Sequence, residues 1–267
     1  MTRVLVTGGT GVLGSAIVRQ LQTHDVAVRV LSRRERPNHG QIEWVSGDLT
    51  TRAGLEAAFA GVDVVVHSAT SQKAKEDLVI TRRVLEAAKV AGTGHALYVS
   101  IVGIDRLGFF DYYAAKLEGE KLFAASGVPY AIQRATQFHD FVAMLLTMLG
   151  RAPVLLLPRG VTLQPVDPEA VAAQIARAAL GRVAGRLPDL AGPEVRSLED
   201  LAVAWLHAQG KRKRMVSLPM PLPIFRAMGS GQLTSEEAER IGQTWEVWLE
   251  HHVSSQNSDQ RVRVGGT

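Results

Sequence analysis

The sequence contains no cysteine among its 267 residues, which excludes disulfides, thiolate metal sites and cysteine nucleophiles. It also lacks a long apolar run. The most hydrophobic stretch, 141–157, is interrupted by Gly150, Arg151 and Pro153, so no transmembrane helix is expected. The chain enters a strand-like segment at Arg3 with no apolar leader before it, as in a protein without a signal peptide. We therefore expect a cytoplasmic protein that does not bind membranes.

Patterns typical of metal and nucleic-acid sites are also missing. No His, Asp and Glu cluster has metal-ligand spacing, and the adjacent His251 and His252 are typical of a helix end. The formal net charge is +4 and the pI is about 9.6. The dense basic run at 211–214 has no interleaved aromatic residues for base stacking and is typical of a solvated turn. We expect no metal and no nucleic acid, and a monomer or homodimer.

Short apolar segments alternate with helical patterns through the first half of the chain. Segments rich in Val, Ile and Leu are typical of strands buried on both faces of a parallel sheet, and they lie at 3–7, 26–31, 42–45, 62–66, 95–100 and 128–133. Helical patterns lie between them at 12–23, 51–60, 74–91 and 111–126. This alternation predicts a doubly wound parallel α/β sheet of the Rossmann type.

The alternation changes after residue 135. Helices are predicted at 137–149, 168–180, 197–209, 221–228 and 235–250, with short strands near 187–191 and 214–218. The sequence therefore predicts a Rossmann core over 1–135, a small substrate-side lobe interleaved with that core over 136–253, and a polar, mobile tail over 254–267.

The strongest motif is the glycine-rich turn Thr7-Gly8-Gly9-Thr10-Gly11-Val12-Leu13-Gly14. It follows the first predicted strand and opens the first predicted helix, which is the context in which such glycines bind a dinucleotide. The backbone can approach a pyrophosphate there, and the N-terminus of the helix favours the phosphates through its free N–H groups and dipole. We expect residues 8–14 to bind the cofactor. A glycine turn without a ligand is the alternative.

The residues after the second predicted strand indicate which dinucleotide is bound. NAD sites usually carry an acidic residue about 20 positions after the glycines, bonded to the ribose hydroxyl. Here the chain reads Ser32-Arg33-Arg34. A permanently charged, forked guanidinium suits a 2′-phosphate, so the cofactor is predicted to be NADP(H). A solvated loop is the alternative for the two arginines.

Two further loops are expected beside the cofactor. Asp48 and Leu49 follow the third strand and are placed to meet the adenine, although Asp48 is equally suited to cap the next helix. Ser68, Ala69 and Thr70 follow the fourth strand, where small side chains let the backbone pass close to a ligand. His67 has a pKa range that allows titration near neutrality, but a packed structural role is the preferred interpretation.

Together these motifs resemble the short-chain dehydrogenase/reductase superfamily, in particular its atypical NmrA-like branch. The resemblance covers residues 1 to about 250. Besides the glycine turn, it rests on 98–103, on Tyr112-Tyr113-Ala114-Ala115-Lys116, on Arg134-Ala135-Thr136-Gln137-Phe138-His139 and on Pro165-Val166-Asp167. It implies that Ser100 holds the substrate oxygen, that Tyr112 exchanges a proton with it, and that Lys116 bonds the nicotinamide ribose and lowers the pKa of the tyrosine.

Helical spacing supports the choice of tyrosine independently. Tyr112 lies four residues before Lys116 and shares its helix face, whereas Tyr113 points about 100° away. An ordinary packed helix is the alternative. The asparagine that often assists in this superfamily has no counterpart before Ser100, because the chain contains only Asn38 and Asn257.

Three functions follow from this reading. The preferred one is an NADPH-dependent oxidoreductase that reduces a small carbonyl, quinone or related acceptor by hydride transfer. The others are a non-catalytic NADP(H)-binding redox sensor of the NmrA type and an epimerase or dehydratase that uses the nucleotide catalytically. Gln137, Phe138 and His139 follow the sixth strand and are predicted to line the substrate pocket, since ligands of open α/β sheets bind beyond the carboxyl ends of the strands.

Overall fold

The computed structural model describes residues 1–38, 40–71, 73–219 and 223–252. These residues form two compact units: Met1–Ala135 with Pro168–Leu190, and Thr136–Asp167 with the chain from Ala191 onward. The chain passes from the first unit to the second after residue 135, returns at Pro168 and leaves again after Leu190. The segment 168–190, which the sequence assigned to the smaller lobe, belongs to the first unit. The predicted tail over 254–267 lies outside the described residues.

The secondary structure elements follow in chain order. The strands are β1 (Arg3–Thr7), β2 (Ala27–Ser32), β3 (Ile42–Ser46), β4 (Val64–His67), β5 (His95–Ile101), β6 (Tyr130–Ala135), β7 (Val154–Pro158), β8 (Thr162–Leu163), β9 (Gly185–Arg186), β10 (Leu190–Ala191), β11 (Arg196–Ser197), β12 (Arg214–Leu218) and β13 (Glu239–Arg240). The helices are α1 (Val12–Leu21), α2 (Leu55–Phe59), α3 (Ala74–Val90), α4 (Asp111–Ala125), α5 (His139–Leu149), α6 (Pro168–Leu180), α7 (Leu198–Ala208), α8 (Pro223–Gly229) and α9 (245–252).

The first unit is built on a parallel sheet with the strand order β10-β6-β5-β4-β1-β2-β3, and β9 also pairs with β6. Val4, Leu5 and Val6 of β1 are fully buried, as expected for a strand covered on both faces. Helices α1 and α6 pack side by side, and α3 packs against α4. The doubly wound α/β fold expected from the sequence is confirmed.

The strand order reverses at β1. The chain proceeds from β1 outward to β2 and β3, and then returns to place β4 on the other side of β1. In register, Thr7 at the end of β1 lies between Leu31 of β2 and His67 of β4. A reversal of this kind separates the connections at the carboxyl ends of two adjacent strands and leaves a crevice where ligands bind.

The second unit contains two small sheets, β7 with β12 in parallel and β8 with β11 antiparallel. The indole N–H of Trp245 donates to the Leu201 carbonyl at 3.1 Å, which holds α9 against α7. Within the described parts of both units, no helix combines the length and apolarity needed to cross a membrane.

Two predictions for the second half of the chain were wrong. The helix predicted over 235–250 is replaced by an extended stretch with β13, and only 245–252 is helical. Gly242 has a φ of +78°, which is not a helical value. The Ile241 N–H donates to the Ala191 carbonyl at 2.9 Å, so it forms a hydrogen bond with a distant part of the chain and not one within a helix. Strand β7 was missed because Pro153 and Pro158 suggested loops, whereas its partner β12 lies far along the chain.

Candidate functional site

A cleft of about 480 Å³ lies in the first unit beyond the carboxyl ends of β1, β2, β3 and β4. It brings together most of the residues that the sequence predicted to hold a cofactor, namely Gly8, Thr10, Gly11, Ser32, Arg33, Asp48, Leu49, Ser68, Ala69 and Thr70. The other predicted cofactor residues, Gly9, Val12, Leu13, Gly14, Arg34 and Lys116, do not line it.

Three of the four glycines in the turn are required by packing within the chain. A Cβ on Gly8, whose φ is +75°, would lie 2.6 Å from the Ala69 nitrogen, and a Cβ on Gly14 would lie 2.1 Å from the Gly8 oxygen. A Cβ on Gly9 would lie 2.5 Å from Val30 Cγ1. Gly11 differs, because its φ is −83° and the nearest atom to its Cβ is at an ordinary 3.4 Å. A ligand in the cleft gives a physical reason for a glycine at position 11.

The start of α1 suits an anion. Gly11 precedes the helix and offers no side chain to cap it, and the first turn contains no acidic residue. The first-turn N–H groups and the positive end of the helix dipole therefore favour negative charge at this point. A pyrophosphate fits both this charge and the open space beside Gly11.

The last residue of β2, Ser32, and the two arginines that follow it differ in their placement. The Ser32 hydroxyl donates to the Arg34 carbonyl at 2.9 Å and accepts from the Arg34 N–H at 3.2 Å, so it shapes its own loop. Arg33 is exposed and lines the cleft, whereas Arg34 is exposed but does not line it. Arg33 is therefore the guanidinium available to a phosphate on the adenosine ribose.

Asp48 lines the cleft and also shapes the loop after β3. Its Oδ1 accepts bonds from the Thr50 N–H and the Thr50 hydroxyl, both at 2.7 Å. Those bonds, with the nearby charge of Arg33, lower the pKa of Asp48, so it is ionised at neutral pH. Helix α2 begins only at Leu55, after Gly54. The carboxylate therefore caps a turn and not the following helix.

The loop after β4 passes close beneath the glycine turn. The Ser68 hydroxyl donates to the Thr7 carbonyl at 2.7 Å, and the Thr70 hydroxyl donates to Asp77 Oδ1 at 2.8 Å. Their side chains fix this wall of the cleft, and the backbone at Ala69 passes so close to the turn that only glycine fits at position 8.

Tyr112 reaches the edge of the cleft. Its hydroxyl lies 3.5 Å from Thr70 Oγ1, and Thr70 lines the cleft. Burial raises the pKa of Tyr112 above its usual value, with a further contribution from the charge of Asp77. The neighbouring Tyr113 packs on Phe110 with ring centroids 6.2 Å apart.

Lys116 pairs with Asp77 in this structure. Its ammonium is buried, lies 3.6 Å from Asp77 Oδ2 and sits 5.0 Å from the centre of the Tyr98 ring. Burial is the largest influence on the pKa of Tyr112 and raises it, and burial also lowers the pKa of Lys116 while Asp77 raises it. The expected effect of Lys116 on Tyr112 stays a prediction.

Ser100 lies near the end of β5 and is 3% exposed. Its hydroxyl has no hydrogen-bond partner among the described residues. Buried hydroxyl groups are normally bonded, so Ser100 has an unused polar group, although the residue does not line the cleft. The structure does not join Ser100 to Tyr112 by a hydrogen bond.

The predicted pocket residues Gln137, Phe138 and His139 lie in the second unit. The Gln137 amide donates to the Leu233 carbonyl at 2.9 Å and accepts from the Gln164 N–H at 3.3 Å. His139 is fully buried beside Trp245 and Trp248, and burial lowers its pKa to about 4. Phe138 is half-buried, and its place in a substrate pocket stays a prediction.

Sequence reasoning missed the buried polar residues behind the cleft, Asp77 and Thr81 on α3. The two residues are four positions apart and therefore share one face of the helix. The other buried residues of that face are apolar, so two polar residues among them were the signal that could have revealed this cluster. No group of potential metal ligands is found in the described ranges.

A family model described as NAD(P)H-binding matches residues 8–145, just over half of the chain. Ceramide reductase of Caulobacter vibrioides is 28% identical over 82% of this chain and 74% of its own length. Photosystem II assembly factor Ycf39 of Trieres chinensis is 25% identical over 63% of this chain, and the match spans 57% of that protein.

Two solved structures show the same fold. A nucleoside-diphosphate-sugar epimerase of Staphylococcus aureus superposes with a TM-score of 0.78 at 19% identity, covering 94% of this chain and 100% of that one. The triphenylmethane reductase of Citrobacter sp., complexed with NADP(H), gives a TM-score of 0.74 at 19% identity, covering 94% and 99%.

Proposed function

Because the chain belongs to the NAD(P)H-binding family, as the resemblance and the predicted nicotinamide cofactor led us to expect, we propose that it is an NADPH-dependent oxidoreductase. It reduces a small carbonyl, quinone or related acceptor. The dinucleotide supplies the hydride when bound. The chain holds the dinucleotide, excludes water and provides the proton.

The preference for NADP(H) over NAD(H) rests on Arg33. It is exposed at the cleft next to Asp48, whose pKa it helps to lower. A guanidinium forms strong, bidentate bonds with phosphate. The residues that line the cleft after β2 are Ser32 and Arg33, so no carboxylate takes the place where an NAD enzyme binds the ribose hydroxyl.

The observation that carries the enzymatic proposal is the position of the Tyr112 hydroxyl, 3.5 Å from Thr70 at the edge of the cleft. A phenol placed there can give a proton to the oxygen of an acceptor whose carbon receives the hydride. Burial raises the pKa of Tyr112 above its usual value, so the phenol is protonated at neutral pH and its proton is available for this transfer. Ser100 is the proposed partner for the acceptor oxygen, and Lys116 is a proposed contact of the nicotinamide ribose.

The relatives support a reductase in general terms. Ceramide reductase and triphenylmethane reductase are named for reductions of different acceptors, and the epimerase for a different reaction. The chain spans little more than half of the Ycf39 protein that it matches.

A non-catalytic NADP(H) sensor is the second candidate, and one observation favours it. Lys116 is bonded to Asp77 and does not line the cleft, and the Ser100 hydroxyl is fully buried. In this arrangement the candidate catalytic side chains of Ser100, Tyr112 and Lys116 do not all reach the cleft.

A measurement of NADPH oxidation distinguishes the reductase from the non-catalytic sensor. The protein is mixed with NADPH and a panel of aldehydes, ketones, quinones and imines, and the absorbance of NADPH is followed. Oxidation of NADPH that depends on one acceptor class supports the reductase. Tight binding of NADPH by calorimetry with no turnover across the panel contradicts it and supports the sensor.

A further inference from the structure

Asp77 is a buried carboxylate at the start of α3 that the proposed chemistry does not use. It is 1% exposed. Its Oδ1 accepts the Ser71 N–H at 2.7 Å and the Thr70 hydroxyl at 2.8 Å. Both donors belong to residues that line the cleft. One oxygen of Asp77 therefore fixes the loop that forms one wall of the site.

The second oxygen of Asp77 faces Lys116. Oδ2 lies 3.6 Å from the ammonium nitrogen, and the Lys116 residue is 5% exposed. A buried ion pair is costly to break, because removal of one partner leaves an uncompensated charge in a poorly hydrated place. Asp77 is thus bonded at once to the cleft loop and to a candidate catalytic residue on α4.

We propose, on the premise of the function proposed above, that Asp77 is a positioning residue of this site. It holds Lys116 with one oxygen and the loop 70–71 with the other, and Thr70 transmits that placement to the Tyr112 hydroxyl. Tyr112 remains the group that touches the acceptor. Asp77 fixes the position of the Tyr112 phenol and supplies the negative charge that acts on it.

A second set of bonds anchors Asp77 to the glycine turn. The Thr81 hydroxyl donates to the Asp77 carbonyl at 2.8 Å and lies 3.3 Å from His67 Nε2. Since the hydroxyl hydrogen is already used, His67 Nε2 must be the donor to Thr81. Nδ1 then accepts from the Thr7 hydroxyl at 2.7 Å. Burial lowers the pKa of His67 to about 3, so the ring carries one proton and fits this arrangement.

The charge of Asp77 acts on the phenol directly. It raises the pKa of Tyr112 in addition to burial. Burial lowers the pKa of Lys116, while Asp77 and Glu120 raise it. The titratable groups that face this cluster come from four elements: His67 of β4, Asp77 of α3, Tyr98 of β5, and Tyr112, Tyr113, Lys116 and Glu120 of α4.

The test is Asp77→Asn, which keeps the shape and an oxygen for the loop but removes the charge. Tyrosine is labelled with carbon-13 at Cζ, and the Tyr112 resonance is assigned with Tyr112→Phe and titrated by NMR. Loss of the carboxylate should move the Tyr112 titration to lower pH. Turnover should fall about 10- to 100-fold, since a misplacement of about 1 Å can cost a hundredfold.

Glu86→Gln is the matched control. It removes the same charge from the same helix, at an exposed residue paired with Arg52 on the surface, and should leave both the titration and turnover unchanged. If Asp77→Asn does not fold because Lys116 is left unpaired, Lys116→Met is compared with the double variant Asp77→Asn with Lys116→Met. The same downward shift is expected between those two.

Two results would overturn the proposal: an unchanged Tyr112 titration in a folded Asp77 variant, or full turnover by Asp77→Asn. The NMR titration needs no acceptor. If the unmutated protein turns over nothing in the panel while Asp77→Asn still shifts the phenol, the proposed function fails and the coupling through Asp77 stands.

Discussion

At one end of the cleft, formed by the glycine turn and Arg33, the groups suited to a ligand face open space. The first turn of α1 is uncapped, Gly11 has room beside it and Arg33 is exposed. At the other end, formed by Thr70 and Tyr112 with Ser100 and Lys116 behind them, most polar groups are buried or bonded to one another. We call these the phosphate end and the chemistry end.

The difference shows how each end obtains its geometry. The phosphate end is built from residues close together in sequence, and its shape follows from turn and helix-end physics. The chemistry end depends on side chains from α3, α4, β5 and the loop after β4, which only the folded sheet brings together. The first end is therefore expected to bind a ligand without rearrangement, whereas the second depends on buried charges that compensate each other.

Gly11→Val tests the phosphate end with the largest expected effect. The backbone at Gly11 has an ordinary φ and space for a side chain, so the protein should fold, but the added methyl groups would occupy the place of the pyrophosphate. Calorimetry should detect no NADPH binding. Gly14→Val is the contrasting variant, because its Cβ would lie 2.1 Å from the Gly8 oxygen and should prevent folding. NADPH binding by a folded Gly11→Val protein would place the cofactor elsewhere.

Tyr112→Phe tests the chemistry end. General acid catalysis by a positioned side chain contributes about 10²- to 10⁴-fold, so turnover should fall by that factor while NADPH affinity stays nearly constant. Tyr113→Phe is the matched control and should cost little, since that ring packs on Phe110. Full activity of Tyr112→Phe would show that the proton comes from another donor.

Most of the residues that the sequence predicted for the phosphate end line one cleft, because the signals there are local. The glycines, the strand before them and the arginines after β2 lie within about one βαβ unit. At the chemistry end, Tyr112 was expected from its spacing to Lys116, but the partner of Lys116 was not. Asp77 lies in a different helix, and its contact with Lys116 is a tertiary one that no periodicity reports.

The same limit explains the errors in the second unit. The segment 235–250 has helical composition, yet the positive φ of Gly242 and the bond from Ile241 to Ala191 keep most of it extended. Strand β7 gains its hydrogen bonds from β12, and it was missed because Pro153 and Pro158 enclose its short apolar run. Helices with regular apolar faces, such as α6, began and ended where the pattern predicted.

Arg33→Ala sharpens the comparison at the phosphate end. A hydrogen bond to a charged group contributes about 1.5–3 kcal/mol, so NADPH affinity should fall about 10- to 100-fold while NADH affinity stays nearly unchanged. Arg34→Ala is the matched control, because Arg34 does not line the cleft. Equal binding of NADH and NADPH by the unmutated protein would contradict the assignment of NADP(H).

The smallest expected effect concerns His67, which lies behind the chemistry end. Its pKa is about 3 in the folded chain because of burial and about 6.5 in an unfolded one. Below about pH 6.5 the unfolded state therefore binds one more proton. Stability is fully present above that pH and is lost as the pH falls toward about 3, by up to about 1.4 kcal/mol per pH unit.

His67→Gln removes this proton while keeping an N–H that can donate to Thr81. Urea unfolding at about pH 7 and about pH 5.5 should show that the variant loses about 1.4 kcal/mol less stability between the two conditions than the unmutated protein. His139, whose pKa is also lowered by burial, is present in both proteins and cancels in the difference. His24→Gln, at an exposed histidine, controls for the change in composition. An equal loss of stability in the variant and the unmutated protein would mean that His67 is already charged when folded, and the bonds from Thr7 through His67 to Thr81 would then run in another direction.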